Sequence, residues 1–380
     1  MENYDAFGRL RISNPYTLFD SQNRYFLNSK FFSYTVDGAS IDYSSNESTV
    51  YLNISTGSNA YALRETKHVF EYQPGKSLLI LNTFVFNQKK SNLVQRTGYY
   101  GQLNGIFLEL SDDVYIVKRN NGVDTKVSQA NWNGTTLCQL DITKAQIFWI
   151  DIEWLGMGNV RAGFIINGKY VTCHTFRHAN YVTNVYMTTA CLPLRYEIYN
   201  TGTTSSNSTM KQICSTVISE GGYEPRLPLF SQLNSNVAVG FPTLTVAGKL
   251  YPLVSVRLTS NTLDAIVTIK QMDFIVATKD SIRWVLVLNP TLTGANWVPH
   301  RTSNLVEVDI TSTDMTGGTE VNSGLVLESG TGVIDSSSFN HQIGRYISNG
   351  VYTSDVFTLA ASGFSASAQV GAMISWSQLV

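Results

Sequence analysis

The sequence has 380 residues, of which 43% are hydrophobic and only 14% charged, and its formal net charge is −1. This length allows two or three domains, and the hydrophobic content excludes a disordered chain. Globular proteins carry about 25% charged residues, so uncharged polar side chains must cover much of this surface. Without a long basic run, nucleic-acid binding through a phosphate-tracking patch is not expected.

Residues 1–30 contain apolar side chains but are too few to form a core of their own. Phe7 is followed by an alternation of apolar residues with Arg9 and Arg11, and Phe19 comes after a break at residues 14–15. Two interpretations are open: an arm lying on its own domain, or an arm docked on a neighbouring subunit. For the second, Phe7, Arg9, Arg11 and Phe19 are the predicted anchoring residues.

Short apolar stretches separated by turn residues follow from residue 31 to residue 222. They lie at residues 31–36, 49–54, 68–72, 78–86, 106–110, 114–117 and 123–127. This length and spacing predict an all-β fold, a β-sandwich of the jelly-roll (concanavalin-like) type. Residues 210–218 fit a strand or a short helix, and the β-branched Thr216, Val217 and Ile218 favour the strand.

The clearest pattern lies at residues 146–171. Apolar residues at positions 148, 150, 152 and 154 alternate with Asp151 and Glu153, so one face of a strand is apolar. Turns at residues 156–159 and 167–168 predict three consecutive antiparallel strands. A turn centred on residue 157 would place Glu153 opposite Arg161 in an exposed ion pair, worth about 0–1 kcal/mol. We therefore interpret the two carboxylates as sheet surface and not as a catalytic pair.

A second β unit is predicted after a proline-rich boundary. Pro225, Pro228, Pro242 and Pro252 lie in this stretch, and proline resists both helices and central strands. Apolar stretches resume at residues 253–258, 265–269, 274–277, 283–288 and 305–310. The predicted organisation is an anchoring arm (1–30), a jelly-roll sandwich (31–222) and a C-terminal β domain (223–380).

Cysteine and histidine spacing predict neither a metal site nor a cofactor. The four cysteines are Cys138, Cys173, Cys191 and Cys214. They form no C-x-x-C pair and follow no signal-peptide pattern, so free thiols in a reducing cytoplasm are expected. His174 and His178 have a zinc-pair spacing only on a helix, and a strand is predicted there. No apolar run reaches the ~18 residues of a membrane span, so membrane insertion is not expected.

Aromatic residues with polar neighbours are the candidate binding residues. Tyr99, Tyr100 and Trp132 could stack on a glycan if they are exposed, since exposed aromatic groups mark interaction surfaces. The alternative is that they anchor loops or interfaces, whereas Trp149 is expected in the core. No G-x-S-x-G, P-loop or dinucleotide motif occurs. We therefore predict no catalytic residues and no enzyme.

Several stretches resemble virion structural proteins of tailed bacteriophages, especially marine and cyanobacterial phages. They are residues 5–13 (DAFGRLRIS) with 17–21 (TLFDS), 149–156 (WIDIEWLG), 194–198 (LRYEI) and 211–222 (KQICSTVISEGG). Residues 288–294 and 317–319 are also similar, and the stretch 211–222 is the most specific. The resemblance implies a fibre, spike, baseplate or capsid-surface protein, and it carries no catalytic residues to transfer.

The sequence therefore predicts a virion structural protein, made in the host cytoplasm, that works by assembly. Its expected partners are further copies of itself, with a trimer favoured, and other virion proteins. The alternative is a receptor-binding adhesin that recognises a host surface glycan. A glycan hydrolase within a fibre is a third hypothesis, for which the sequence nominates no carboxylate pair.

Overall fold

The structure is a computed structural model that describes residues 14–135, 140–224, 228–234, 240–328, 331–334 and 341–379. The chain divides into two compact units, Met1–Glu224 and Pro225–Val380. Within the described residues the only helix is the 3-10 turn Gln129–Asn131. No helix in this part of the chain is long and apolar enough to cross a membrane.

The first unit is built from two antiparallel sheets. Its strands are β1 (Tyr16–Ser21), β2 (Phe31–Val36), β3 (Ala39–Ser44), β4 (Thr49–Ile54), β5 (Tyr61–Thr66), β6 (Leu78–Val85), β7 (Leu93–Tyr100), β8 (Gly105–Leu110), β9 (Val114–Asn120), β10 (Val123–Ser128), β11 (Gln146–Ile152), β12 (Val160–Ile166), β13 (Lys169–Phe176), β14 (Leu194–Asn200) and β15 (Ser208–Ser219). Sheet I has the order β13-β12-β11-β6-β15-β4-β3, with β1 also paired to β15, and sheet II has the order β10-β9-β8-β7-β14-β5-β2.

The core of the first unit lies between these two sheets and follows from the alternation in their strands. Phe148 and Ile150 of β11 are fully buried and belong to the same apolar cluster as Ile106 and Leu108 of β8. Burying each such side chain contributes about 1.5–3 kcal/mol, so this shared interior holds the sheets together. The strand favoured for residues 210–218 is confirmed as part of β15.

The three strands predicted at residues 146–171 are present, but the first turn is centred one residue earlier than expected. Asp151, not Glu153, pairs with Arg161 across β11 and β12, and forms an ion pair with it. Both carboxylates are fully buried. The prediction of an exposed pair between Glu153 and Arg161 is therefore wrong, because moving the centre of the turn by one residue shifts the pairing by two residues and brings Asp151 opposite Arg161.

The start of the chain also differs from the predicted arm. β1 pairs with β15 inside sheet I, which directs Phe19 into the interior at 6% exposure. Its ring lies 5.8 Å from that of Phe31 and 5.0 Å from that of Phe70. Phe19 is thus a core residue of its own unit, and its predicted role as an anchor to a neighbouring subunit is corrected. Phe7, Arg9 and Arg11 lie outside the described residues.

The second unit is a separate sandwich. Its strands are β16 (Leu229–Leu233), β17 (Thr243–Leu244), β18 (Tyr251–Leu258), β19 (Val267–Val276), β20 (Ile282–Leu288), β21 (Thr291–Thr293), β22 (Val298–His300), β23 (Ser303–Asp309), β24 (Asp314–Thr316), β25 (Thr319–Val326), β26 (Thr331–Ile334), β27 (His341–Gln342), β28 (Arg345–Ser348), β29 (Val351–Ser354), β30 (Val356–Gly363) and β31 (Ala368–Gln378). Its two large sheets have the orders β16-β31-β19-β26 and β22-β23-β18-β30-β20-β25. Trp376 is fully buried against the rings of Phe230 and His300.

Candidate functional site

The outer face of sheet II carries a row of alternating charges. Strand register places Glu197 of β14, Arg96 of β7 and Glu109 of β8 side by side. Arg96 bridges the two acids, with Nε 2.8 Å from Glu109 Oε2 and Nη1 3.5 Å from Glu197 Oε2. The Arg96 side chain is only 12% exposed and that of Glu109 is fully buried. The row is therefore held mostly away from water, where each charge needs its partner.

Further ion pairs extend this row in both directions across the sheet. Lys126 Nζ lies 2.7 Å from Glu109 Oε1, and Arg195 Nη2 lies 2.9 Å from Glu197 Oε1. Arg119, on the next strand, donates to Asp124 through Nε at 2.6 Å. Arg195 Nη1 also lies 3.3 Å from Glu65 Oε2. The four basic side chains named here are therefore paired with four acids, Glu65, Glu109, Asp124 and Glu197.

Aromatic rings fill the space between the guanidinium groups. The Arg96 guanidinium lies 5.4 Å from the ring centroid of Phe107 and 5.3 Å from that of Tyr199. A Cβ at Gly98 would lie 2.6 Å from Phe107 Cβ, so glycine is needed where this ring crosses the strand. Tyr100 lies beside it, with ring centroids 4.3 Å apart. Rings and cations therefore pack as one layer on the sheet.

Glu197 is the most strongly perturbed acid of this layer. Burial raises its pKa, but the neighbouring Arg195 and Arg96 outweigh burial and hold the pKa of Glu197 at about 2. Tyr61 donates to Oε1 at 2.8 Å and Tyr100 to Oε2 at 3.2 Å. A carboxylate with this pKa is ionised at neutral pH, so Glu197 accepts hydrogen bonds and does not serve as a general acid.

A pocket of about 470 Å³ with both polar and apolar walls lies at one end of this face, and we call it the loop pocket. Its lining residues are Lys89, Lys90, Ser91, Asn92, Leu93, Val94, Ser111, Asp112 and Thr201. They come from the β6–β7 connection, the start of β7, the β8–β9 turn and the β14–β15 connection. Val94 is opposite Tyr199 in register, so the pocket wall continues into the charged face.

The lysines of the loop pocket are engaged by the loops themselves. Lys90 Nζ donates to the carbonyl of Asn207 at 2.7 Å and to Ser208 Oγ at 2.9 Å, and burial lowers the pKa of Lys90. Lys89 donates to the backbone carbonyl of Asp112. These contacts tie three separate loops together, so the pocket is formed before any ligand arrives.

Asp112 links the loop pocket to the charged row. Ser111 Oγ lies 2.9 Å from Glu109 Oε1 and 3.1 Å from Asp112 Oδ1. Tyr115 donates from its hydroxyl to Asp112 at 3.2 Å. Hydrogen bonding to Ser111, followed by the backbone and Tyr115, lowers the pKa of Asp112. The pocket therefore presents an oriented carboxylate whose ionised form is favoured.

The predicted glycan contacts are not brought together by the structure. Tyr99 and Tyr100 are both fully buried, and Tyr99 donates to the carbonyl of Ala190 at 2.8 Å. Neither can stack on a sugar, because one faces the core and the other is covered within the charged layer. Trp132 is half-buried, and its Nε1 donates to the Val127 carbonyl at 3.1 Å, so it anchors a loop. Trp149 is buried, as expected.

His174 of β13 and His178 of the following loop make hydrogen bonds to different partners. His178 Nδ1 is 2.7 Å from the Gly158 carbonyl, and Lys118 Nζ is 3.1 Å from His178 Nε2. His174 Nδ1 accepts the Asn133 backbone N–H at 3.4 Å. Across the described ranges, no group of three or more potential ligands could hold a metal ion.

Comparison with known proteins finds similarity at the level of the fold. No protein-family model and no curated protein matches the sequence. The Emp47p carbohydrate recognition domain is 10% identical with a TM-score of 0.36, and the match covers 54% of this chain and 95% of that chain. A prokaryotic beta-1,3-1,4-glucanase (lichenase) from a mouse hindgut metagenome is 13% identical with a TM-score of 0.38, covering 54% and 99%. A beta-1,3-glucanase from Mycobacterium marinum is 9% identical with a TM-score of 0.38, covering 53% and 98%.

In the described residues the first unit is a β-sandwich of two antiparallel sheets. The strands and sheets of the described residues confirm the all-β fold class expected from the sequence, and the structures similar to the chain include a carbohydrate recognition domain. Identities of this size show the fold alone. They transfer no ligand and no residue role to this chain.

The same comparison corrects the prediction that the chain is not an enzyme. The similar structures include a lichenase and a beta-1,3-glucanase, so the exclusion was wrong. It rested on missing contiguous motifs, whereas a glycoside-cleaving site needs only two carboxylates at a suitable separation, which strand register can supply from distant parts of a sequence.

Proposed function

We propose that the first unit binds a carbohydrate in the loop pocket. The observation that carries the proposal is a preformed cavity of about 470 Å³ with hydrogen-bonding walls and lysines already engaged by loop oxygens. Small-molecule sites have volumes of about 300–1,000 Å³. Because the cations are occupied, the pocket suits a neutral ligand with many hydroxyl groups better than an anion.

The chemistry of the walls fits both sides of a sugar ring. Asp112 supplies acceptors, and the lining also includes the Asn92 amide, which donates to the Thr203 carbonyl at 3.0 Å, and the Thr201 hydroxyl, which donates to the Asn92 carbonyl at 3.4 Å. Leu93 and Val94 supply the apolar surface against which the C–H groups of a sugar can pack. Hydrogen bonds would fix the orientation of the ligand, and displacement of water from the apolar wall would add affinity.

Binding is tested on the purified full chain with a glycan array, followed by calorimetry on the best ligand. Ser91, an exposed lining residue, is replaced by tryptophan to fill the pocket (S91W), and the matched control places tryptophan at the exposed Ser45 of the β3–β4 turn (S45W). We expect the wild type and S45W to bind equally and S91W to lose at least tenfold in affinity. Absence of binding to any glycan, or equal binding by S91W, would contradict the proposal.

We also propose that this binding unit is displayed on a phage particle, as an attachment protein. The support is the resemblance of residues 211–222 and the other stretches to virion structural proteins, together with the low charge of the chain. An antibody to the purified protein should label intact particles in electron micrographs. Labelling confined to lysate debris would count against a virion location.

A further inference from the structure

One arginine is enclosed between the two sheets of the first unit without an acidic partner. Arg64 of β5 is fully buried, and its Nε donates to Gln212 Oε1 of β15, on the opposite sheet, at 2.8 Å. Its Nη1 donates to Ser33 Oγ at 2.8 Å and its Nη2 to the Asn28 carbonyl at 3.1 Å. All three acceptors are uncharged. Among the residues that the structure describes, none forms an ion pair with Arg64.

The guanidinium of Arg64 keeps its charge in this position. Burial lowers the pKa of Arg64 to about 10, which is still well above neutral pH. The ring of Phe31, with its centroid 5.1 Å from Cζ, compensates only a part of this charge. A buried ion is costly unless an opposite charge lies beside it. The interior of the sandwich is therefore one negative charge short.

Three further polar groups in the same part of the interior lack a hydrogen-bond partner. They are Gln212 Nε2, Asn82 Nδ2 and Thr97 Oγ1, on side chains that are at most 1% exposed. The Gln212 amide accepts from Arg64 through its oxygen, and since a guanidinium only donates, this fixes which end of the amide is the free donor. Buried donors without an acceptor are rare in folded proteins and mark the place of a bound water or ion.

Strand register brings the cation and these donors together. Thr97, Tyr196 and Arg64 are consecutive partners across β7, β14 and β5 of sheet II. On sheet I, Asn82 Oδ1 lies 3.3 Å from the Tyr196 hydroxyl, and Gln212 is bonded to Arg64 itself. Both sheets thus direct donors towards the same part of the interior, and the cation belongs to that group.

We propose that a chloride-sized monovalent anion binds beside Arg64 between the two sheets and accepts hydrogen bonds from Gln212, Asn82 and Thr97. The anion supplies the missing negative charge, and charge-assisted bonds to it satisfy the free donors. Water is the competing occupant. It would accept the same bonds, but it would leave the charge of Arg64 unpaired and bring two hydrogens that need acceptors of their own. The site is internal and distinct from the loop pocket, so it does not depend on carbohydrate binding.

Bromide identifies the occupant directly, because it scatters anomalously and water does not. Crystals of the full-length protein grown in sodium bromide should show an anomalous peak within hydrogen-bonding distance of Arg64 and of Gln212 Nε2. Gln212→Glu places a carboxylate of nearly the same shape beside the guanidinium and should abolish the peak, since the chain then supplies the charge. Density at this position without anomalous signal would mean a buried water and would overturn the proposal.

Urea denaturation at constant ionic strength, with gluconate replaced stepwise by chloride, tests the anion in solution. A ligand that binds only the folded state raises the urea midpoint as its concentration exceeds the Kd. We expect the midpoint of the wild type to rise with chloride relative to the midpoints of Q212E and Arg64→Met. The matched control is Lys211→Met, which removes a 33% exposed cation at the residue next to Gln212 and should respond as the wild type does.

The comparison with Q212E keeps the test decisive if R64M does not fold, because glutamate at position 212 retains the arginine and adds its partner. Non-specific effects of the two salts act on all variants alike and cancel in the difference between them. Equal chloride responses in the wild type and Q212E would overturn the proposal. A bromide peak in crystals without any chloride response in solution, which is binding at crystal concentration only, would overturn it as well.

Discussion

Arg96 is the side chain on which the charged face of sheet II depends most. Its guanidinium contacts both Glu109 and Glu197, and all three side chains are nearly buried. Replacing Arg96 by methionine leaves two buried carboxylates short of a cation, so we expect the free energy of unfolding to fall by about 3 kcal/mol. Urea denaturation measures the loss.

The control for Arg96 is Lys211→Met, at an exposed pair. Lys211 Nζ lies 2.7 Å from Glu47 Oε2, and the two side chains are 33% and 49% exposed. Water already solvates both charges there, so the free energy of unfolding should change little. An equal decrease in the free energy of unfolding of R96M and K211M would show that burial of the Arg96 ion pairs adds nothing to stability.

His178 gives the first unit a predicted pH dependence. Burial, together with the facing Lys118 ammonium, lowers the pKa of His178 from 6.5 to about 4, against the Gly158 carbonyl, which raises it. Its ring also stacks on Tyr186 with centroids 3.8 Å apart. The unfolded chain takes up a proton near pH 6.5 and the folded chain only near pH 4. The stability that the neutral His178 ring contributes to the folded protein is therefore complete above pH 6.5 and is lost as the pH falls towards 4.

The pH dependence is measured by urea denaturation at pH 6.5 and pH 5.0. We expect the wild type to lose about 2 kcal/mol through His178 over this interval. The His178→Gln variant has no titrating ring at this position, so its free energy of unfolding should fall by about 2 kcal/mol less than that of the wild type over the same pH interval. An unchanged pH slope in H178Q would show that His178 is solvated or already charged in the folded protein.

The turn between β11 and β12 is the clearest strained element. Leu155 has a φ of +36° and is 52% exposed, although a branched side chain disfavours the left-handed region. Leu155→Gly should stabilise the protein by about 0.5–1 kcal/mol, because relief of strain outweighs the small loss of packing. The midpoint of thermal unfolding measures it. Asn167→Gly is the control, since asparagine at φ +50° tolerates this region and little change is expected. A lower midpoint in L155G would mean that the exposed side chain packs better than its exposure indicates.

Strands could be predicted from the sequence more reliably than their pairing. The alternation at residues 146–171 predicted three strands because its main apolar set, including Phe148, Ile150 and Ile152, faces one interior. The partner of Arg161 depended on the exact length of one turn, which residue types do not determine. Phe19 was misplaced for a related reason, because its strand pairs with β15, which lies far later in the chain. The Thr216 hydroxyl, which donates to the Phe19 carbonyl, is 197 residues away in sequence.

The candidate site could not be predicted from the sequence. Arg96, Glu109 and Glu197 lie on three different strands and meet only through register. The signal available was weak: Glu109 has the opposite parity to Ile106 and Leu108 in β8, which fits any solvated face. The loop pocket is less visible still, because its lysines, Asn92 and Asp112 have the composition of ordinary turns.

At the scale of the whole molecule, the chain has only 14% charged residues and its described residues form two β-sandwich units. In the first unit many of these charges lie in one paired layer on sheet II, which leaves uncharged polar groups and apolar side chains to make contacts with other molecules. The loop pocket proposed to bind a carbohydrate is a surface of this kind. A protein built in this way should recognise its ligand by hydrogen bonds and shape, with little dependence on ionic strength.

The most direct measurement is a crystal structure of the full chain with the glycan that binds best on the array. The account predicts sugar density in the loop pocket, within hydrogen-bonding distance of Asn92, Asp112 or Thr201 and against Val94. Density for the sugar at another surface, with the loop pocket holding only water, would contradict it.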